Sequence, residues 1–257
     1  MSTWVLLRGL MREARHWGDF PSVLGAAIAD ARVVSLDLPG NGPLHRMPSP
    51  MRVEQMAQYC RQELRARGIA PPYHVLALSL GAMVAVAWAT AYPQELSACV
   101  LINTSLRPLN PFYRRLRPHN YLDVCKLGLM PLDQERQERL ILRLTSCRGD
   151  AQWAIVDAWV AYRREYPVSR RNALRQLSAA IRYRAPATPP VTPMLVLAGA
   201  QDKLVDARCS QQLASRWQTA FAMHPGAGHD LPLDDAHWVA QQVRDWLTGA
   251  TGQLEKP

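Results

Sequence analysis

The sequence predicts an α/β protein with a mainly parallel sheet of about six strands and a helical insertion after the fourth. Three observations carry that reading. Six short runs are apolar throughout and hold β-branched residues, without the alternation of a one-sided strand, so each suits a strand buried on both faces. Stretches of helical character separate most of them. Between the fourth and fifth runs the alternation stops for about eighty arginine-rich residues, too long for a simple crossover.

The first run is TWVLL, Thr3–Leu7. It reads as a strand rather than a signal peptide, because no basic region precedes it and Arg8 cuts the apolar stretch short. RVVSL, Arg32–Leu36, is the second, and Ser49 with Pro50 then reads as the N-cap and first position of a helix over Met51–Arg67. The third run, Tyr73–Leu78, passes directly into a helix over Leu80–Ala91; the fourth is Ser97–Asn103. Helices are expected in the insertion at Asp133–Thr145, Ala151–Arg164 and Ser169–Arg182, before the proline-rich APATPPVTP returns the chain to the sheet. The last strands are Met194–Ala198 and Thr219–Met223, followed by helices Asp206–Trp217 and Asp234–Leu247, with TGQLEKP as a frayed tail.

Composition narrows the function classes. The chain is 48% apolar and 20% charged, ordinary for a soluble protein, and its apolar runs fall short of a transmembrane segment. Five cysteines, odd in number and scattered, form neither a disulfide framework nor a zinc spacing, which fits a reducing cytoplasmic location. The net charge of +9 is concentrated: Leu106–Arg184 holds sixteen Arg and Lys against seven Asp and Glu, and the remainder balances at fourteen each. Such a segment is either a set of solvated helix faces or a surface for an anionic partner, an acyl carrier protein or an anionic lipid; YRRLR, with Arg114 and Arg115, is its densest cluster. Nucleic acid is not expected, since no recognised binding motif is present.

The chemistry is expected where strands end. Ser79 lies between the third strand and its helix, at the carboxyl edge of the sheet where α/β proteins bind ligands. Its surroundings, A-L-S-L-G-A, resemble the G-x-S-x-G turn that exposes a nucleophilic serine, with Ala77 in place of the first glycine. A base is offered by His229 in HPGAGHDLPL, after the last strand; His224, five residues earlier, reads as structural. Asp202, in LAGAQDKLVD after the fifth strand, supplies the carboxylate that would orient the imidazole. Each alone has a plain structural reading as turn, cap or core residue, but the order Ser, Asp, His after three separate strands points to nucleophilic catalysis. No cluster has metal-ligand spacing, and LRGLMRE is not a phosphate-binding glycine pattern, so no metal or organic cofactor is expected.

With RGL after the first strand and LDLPGNG after the second, the chain resembles the α/β-hydrolase fold superfamily along nearly its whole length. The resemblance implies a Ser79–Asp202–His229 triad, an oxyanion hole from the backbone N–H groups of Leu10 and Leu80, and a sheet without the first two of the usual eight strands. It divides the chain into a core domain over 1–105 and 185–257 and a helical cap over 106–184, with Trp153, Trp159 and Tyr162 as candidate pocket residues or plain packing. Arg8 stands where the family has a histidine that helps hold the oxyanion loop. The activity implied is that of a serine carboxylesterase on a small or medium acyl ester. In layout the chain is similar to methyl esterases acting on a carrier-protein-bound pimeloyl group, and thioesterases and non-catalytic binding relatives share the fold.

Overall fold

Six parallel strands form one sheet: β1 (Ser2–Leu7), β2 (Ala31–Leu36), β3 (Tyr73–Leu78), β4 (Leu96–Ile102), β5 (Met194–Gly199) and β6 (Ala220–His224). They lie in the order β2-β1-β3-β4-β5-β6 in a computed structural model that describes residues 2–129, 133–148 and 153–249. Helices cover both faces. Core helices α1 (Phe20–Ala27), α2 (Val53–Ala66) and α3 (Leu80–Ala91) precede the insertion. The insertion holds α4 (Phe112–Arg115), α5 (Tyr121–Leu129), α6 (Gln134–Thr145), α7 (Trp153–Glu165) and α8 (Arg170–Arg182), and α9 (Arg208–Trp217), α10 (Leu231–Asp234) and α11 (Ala236–Leu247) follow it.

The unbroken apolar runs have the expected cause. In β1, Val5 and Leu7 pack with α2 and α3 while Trp4 and Leu6 face α1 and α11; β3 and β5 divide their side chains in the same way. Removing every residue of a strand from water leaves no room for alternation.

Element ends depart from expectation in instructive ways. Ser49 is not a helix cap: its hydroxyl donates to the Pro39 carbonyl at 2.7 Å and accepts from Gln176 Nε2 at 3.0 Å, and α2 starts at Val53. The final helix begins at Ala236 because Asp235 caps it, accepting from the Trp238 N–H at 2.9 Å, while Asp234 closes the short α10 and turns inward. In the insertion, Asp133 and Ser169 cap α6 and α8 by accepting from Arg136 and Asn172 N–H. Helices α4 and α5 were not expected, and residues 151, 152 and the TGQLEKP tail lie outside the described residues.

The chain enters and leaves the insertion side by side. Arg107 and Arg184 form a parallel bridge, and the Ala185 N–H donates to the Arg107 carbonyl at 2.7 Å. Leu142, Val156, Trp159 and Val160 give α6 and α7 a small core of their own. That core is fastened to the segment 8–17, the arm that follows β1. Glu138, buried on α6, accepts from Arg12 Nη1 at 2.7 Å and from Arg163 Nε at 2.5 Å. The Arg12 guanidinium lies 4.2 Å from the Trp159 ring centre, and His16 packs against Trp159 and Tyr162. Two of the three aromatic candidates for a pocket are therefore packing between arm and cap, and Trp153 is exposed beneath Arg139. Burial lowers the pKa values of both Arg12 and His16, and nearby arginines push the imidazole down further.

Burial alone would raise the Glu138 pKa, but Arg12 and Arg163 outweigh it and hold the carboxyl below its usual value. A depressed carboxylate contributes stability above its ordinary pKa of about 4.3 and loses it as the pH falls through the depressed value. At neutral pH, Glu138→Gln strands two guanidinium groups among apolar neighbours and should cost about 3 kcal/mol. Urea unfolding at pH 7 measures this; an unchanged midpoint would mean that the cap does not depend on the Glu138 contacts.

Candidate active site

The chain leaves β1 toward the face covered by α1 and β3 toward the face covered by α3, so their carboxyl ends form the switch point at which α/β sheets generally bind ligands. Ser79 lies there. Its φ of 55° and ψ of −112° fall outside the regions ordinary residues favour, and its N–H donates to the Ile102 carbonyl at 2.9 Å, tying the turn to β4. The turn is possible because Gly81 has no side chain: a Cβ on it would sit 2.4 Å from the Leu7 carbonyl oxygen. Gly40, in LDLPGNG, answers a similar need, with φ of 95° and Ser49 Oγ 2.0 Å from where a Cβ would stand.

The arm passes directly over Ser79. A Cβ on Gly9 would lie 3.4 Å from Ser79 Cβ and 3.9 Å from its Oγ. The Arg12 N–H closes the arm's turn onto the Gly9 carbonyl, and the Met11 N–H donates to Gln176 Oε1 at 2.9 Å. Leu10 follows Gly9 in the arm, and Leu80 follows Ser79 as the first residue of α3.

His229 and Asp202 meet at the same edge. His229 Nδ1 lies 2.7 Å from Asp202 Oδ2, and both residues are buried. Asp202 Oδ1 accepts from the N–H groups of Leu204 and Val205 at 2.8 and 2.9 Å, so its carboxylate cannot turn away. With Nδ1–H donating to Asp202, the ring lone pair falls on Nε2. Burial opposes protonation of His229, but Asp202 and Asp230 outweigh it and raise the pKa above the usual imidazole value. No hydrogen bond joins the ring to Ser79 among the described residues. His224 is elsewhere, with Nε2 3.3 Å from Asp235 and its ring edge-on to Trp238.

Arg8 takes part by a route the sequence did not reveal. Its guanidinium donates Nη1 to Asp230 Oδ1 at 3.0 Å and Nη2 to Oδ2 at 2.5 Å, and lies 4.7 Å from the Trp17 ring centre. This buried two-point bond joins the arm to the residue after His229. Two other anchors of that loop were also missed. Asn103 Nδ2 donates to the Gly228 and His229 carbonyls at 2.9 and 2.8 Å, while its Oδ1 accepts from the Gly199 N–H. Asp234 Oδ2 accepts from the Gly228 N–H at 2.7 Å and from Cys147 N–H in the cap. Asp230 and Asp234 stand in the GHDLPLDD stretch, but nothing in their spacing tells which groups they meet.

Residues 4–242 match the profile of the alpha/beta hydrolase family. The chain belongs to that family. RutD of Cronobacter sakazakii, a candidate carbamate hydrolase, is 29% identical over 225 residues, covering 81% of this chain and 76% of that protein. A thermophilic esterase from Thermogutta terrifontis superposes with a TM-score of 0.78 at 19% identity, covering 97% of this chain and 90% of that one. An enol-lactonase from Burkholderia xenovorans LB400 gives 0.79 at 17% identity, covering 96% and 91%. At such identities the solved structures establish the α/β-hydrolase fold alone, here with a six-stranded parallel sheet.

The Arg8–Asp230 pair gives a test by imidazole titration. Asp230 raises the His229 pKa and Arg8 lowers it. In a ¹⁵N NMR titration, Arg8→Met should therefore move the His229 midpoint up and Asp230→Asn should move it down. Shifts of the same sign in both variants would mean that the pair acts on the ring only by supporting the loop.

Proposed function

We propose that the protein is a serine hydrolase that cleaves a carboxylic ester through an acyl-enzyme. The observation that carries the reading is the buried 2.7 Å contact between Asp202 and His229, at the sheet edge that also holds Ser79 in its strained turn. In this mechanism Ser79 Oγ attacks the carbonyl carbon while His229 Nε2 takes its proton. The oxyanion receives the N–H groups of Leu10 and Leu80, and collapse breaks the bond to the leaving alcohol, which His229 protonates. Water, losing a proton to the same ring, then attacks the acyl carbon and releases the acid and Ser79. One well-placed oxyanion donor contributes roughly 3 kcal/mol to such a step in a serine protease.

Asp202 holds the productive tautomer and stabilises the imidazolium, and the Arg8–Asp230 pair takes over the loop-holding task of the family histidine. Leu106–Arg184 forms the cap in this reading, and the acyl group lies between it and the sheet edge. The relationship to RutD adds carbamates to the substrates worth testing, since the same acyl chemistry serves with a nitrogen-bearing carbonyl. Thioesters complete the set.

Labelling by a fluorophosphonate decides whether Ser79 is a working nucleophile: Ser79→Ala should abolish it. On p-nitrophenyl esters, Ser79→Ala and His229→Ala should lower kcat by roughly 10⁴ to 10⁶-fold and Asp202→Asn by somewhat less. Full labelling of Ser79→Ala would move the nucleophile elsewhere, and an unchanged rate in Asp202→Asn would give its role to another carboxylate.

Because His229 must be neutral to act as a base, kcat/KM should rise with pH, with a midpoint above the ordinary imidazole value of about 6.5. The same raised pKa favours the protonated folded state. Its contribution to stability is complete below about pH 6.5 and is lost as the pH rises through the folded value. A pH-rate profile flat between about 5 and 9 would refute the assignment of His229 as the base.

A further inference from the structure

Helix α8 has its two faces reversed. The usual surface helix turns its apolar stripe inward. Here the inward face is largely polar. Asn172 accepts from the Ser49 N–H and donates to the His45 and Met47 carbonyls, and Gln176 joins Asn41, Ser49 and the Met11 N–H. The outward face carries Leu174, Leu177 and Ile181 at i, i+3 and i+7, which are 67%, 36% and 53% exposed. The helix, RRNALRQLSAAIR, contains no acidic residue. Arg170, Arg171, Arg182 and Arg184 are exposed around the stripe.

We propose that this face of α8 docks the protein onto an anionic lipid surface, with the three aliphatic side chains at the acyl boundary and the arginines among the headgroup phosphates. The charge is complementary, since the insertion carries the chain's whole positive excess. The size also favours lipid. The stripe runs from Leu174 to Ile181, about 10 Å at 1.5 Å per residue, and across a helix about 10 Å wide it covers roughly 100 Å². That is small against the roughly 800 Å² each partner contributes to a stable protein interface. A bilayer requires no shaped partner and takes an amphipathic helix whose apolar face is flanked by cations. Arg114 and Arg115 are not equivalent members of this surface: Arg115 Nη2 donates to the Ala180 carbonyl at 2.8 Å and is committed to the fold.

Co-sedimentation tests this independently of any turnover, on phosphatidylcholine vesicles with and without about a third phosphatidylglycerol, at roughly 0.1 M and 0.5 M salt. Wild-type protein should bind the anionic vesicles, and less at high salt. Leu174→Gln with Ile181→Gln should weaken that binding about tenfold or more, and Arg171→Gln with Arg182→Gln should weaken it while flattening its salt dependence. All four side chains are exposed, so unchanged circular dichroism and melting should accompany the loss. Failure of the wild type to bind anionic vesicles overturns the proposal, as does a glutamine pair at 174 and 181 that binds like the wild type. A wild-type dimer that the same pair converts to monomer would assign the stripe to a second copy. Capture of an acidic carrier protein without vesicle binding would assign it to a protein. Either result overturns the lipid assignment.

Discussion

Everything at the site depends on how closely the amino end of α3 approaches the carboxyl end of β1. Gly81 lets the helix backbone press on the Leu7 carbonyl where a methyl group would collide. That contact puts the turn before the helix, with Ser79 in its unfavourable conformation, beneath the arm that leaves β1. Two segments distant in sequence thus share one edge of the sheet, with Gly9 of the arm against Ser79. The strain is tolerated because β3 is locked on both sides, in register with β1 and β4.

Around this contact the molecule uses buried charge as fastening. Arg8 with Asp230 ties the arm to the His229 loop, and Arg12 with Glu138 and Arg163 ties the same arm to the cap. Such pairs add little net stability over apolar packing, since desolvation cancels much of the attraction, but losing one partner is costly. They act as conditions of assembly: Arg8 and Arg12 of the arm and Asp230 of the histidine loop find their charge partners only when arm, cap and loop are together. Asn103 and Asp234 extend the same logic with neutral and charge-assisted bonds to the loop backbone.

Strands β1, β3, β4 and β5 were legible because a strand covered on both faces leaves a plain apolar record, while the edge strands β2 and β6 kept apolar runs although they are only partly buried. Ser79, Asp202 and His229 stood out because each follows one of the six. Bringing Asp202 and His229 into contact was implied by chain order. What escaped reading has a common physical cause, that its partners are far away in sequence. Arg8 and Asp230 are 222 residues apart, and either residue taken alone could face solvent. Ser49 before Pro50 has the local look of a helix cap, yet tertiary bonds to Pro39 and Gln176 claim its hydroxyl. Trp159 and Tyr162 have the spacing of a pocket wall, and the same spacing serves to clamp the arm. In the cap, residue composition revealed helices but not which arginines would end in salt bridges and which in solvent.

The bridge between Arg107 and Arg184 brings the two crossings of the cap boundary to one place, with the Ala185 N–H closing onto Arg107. A segment inserted through so narrow a doorway leaves strand pairing undisturbed whatever its length, because both ends return to adjacent points. The sheet and the loops at its edge are therefore free to stay constant over evolutionary time while the segment between β4 and β5 is lengthened, shortened or exchanged. The two parts of the chain are thereby separable: a change in the insertion reaches the sheet through this doorway and through the contacts that the arm and the His229 loop make with it.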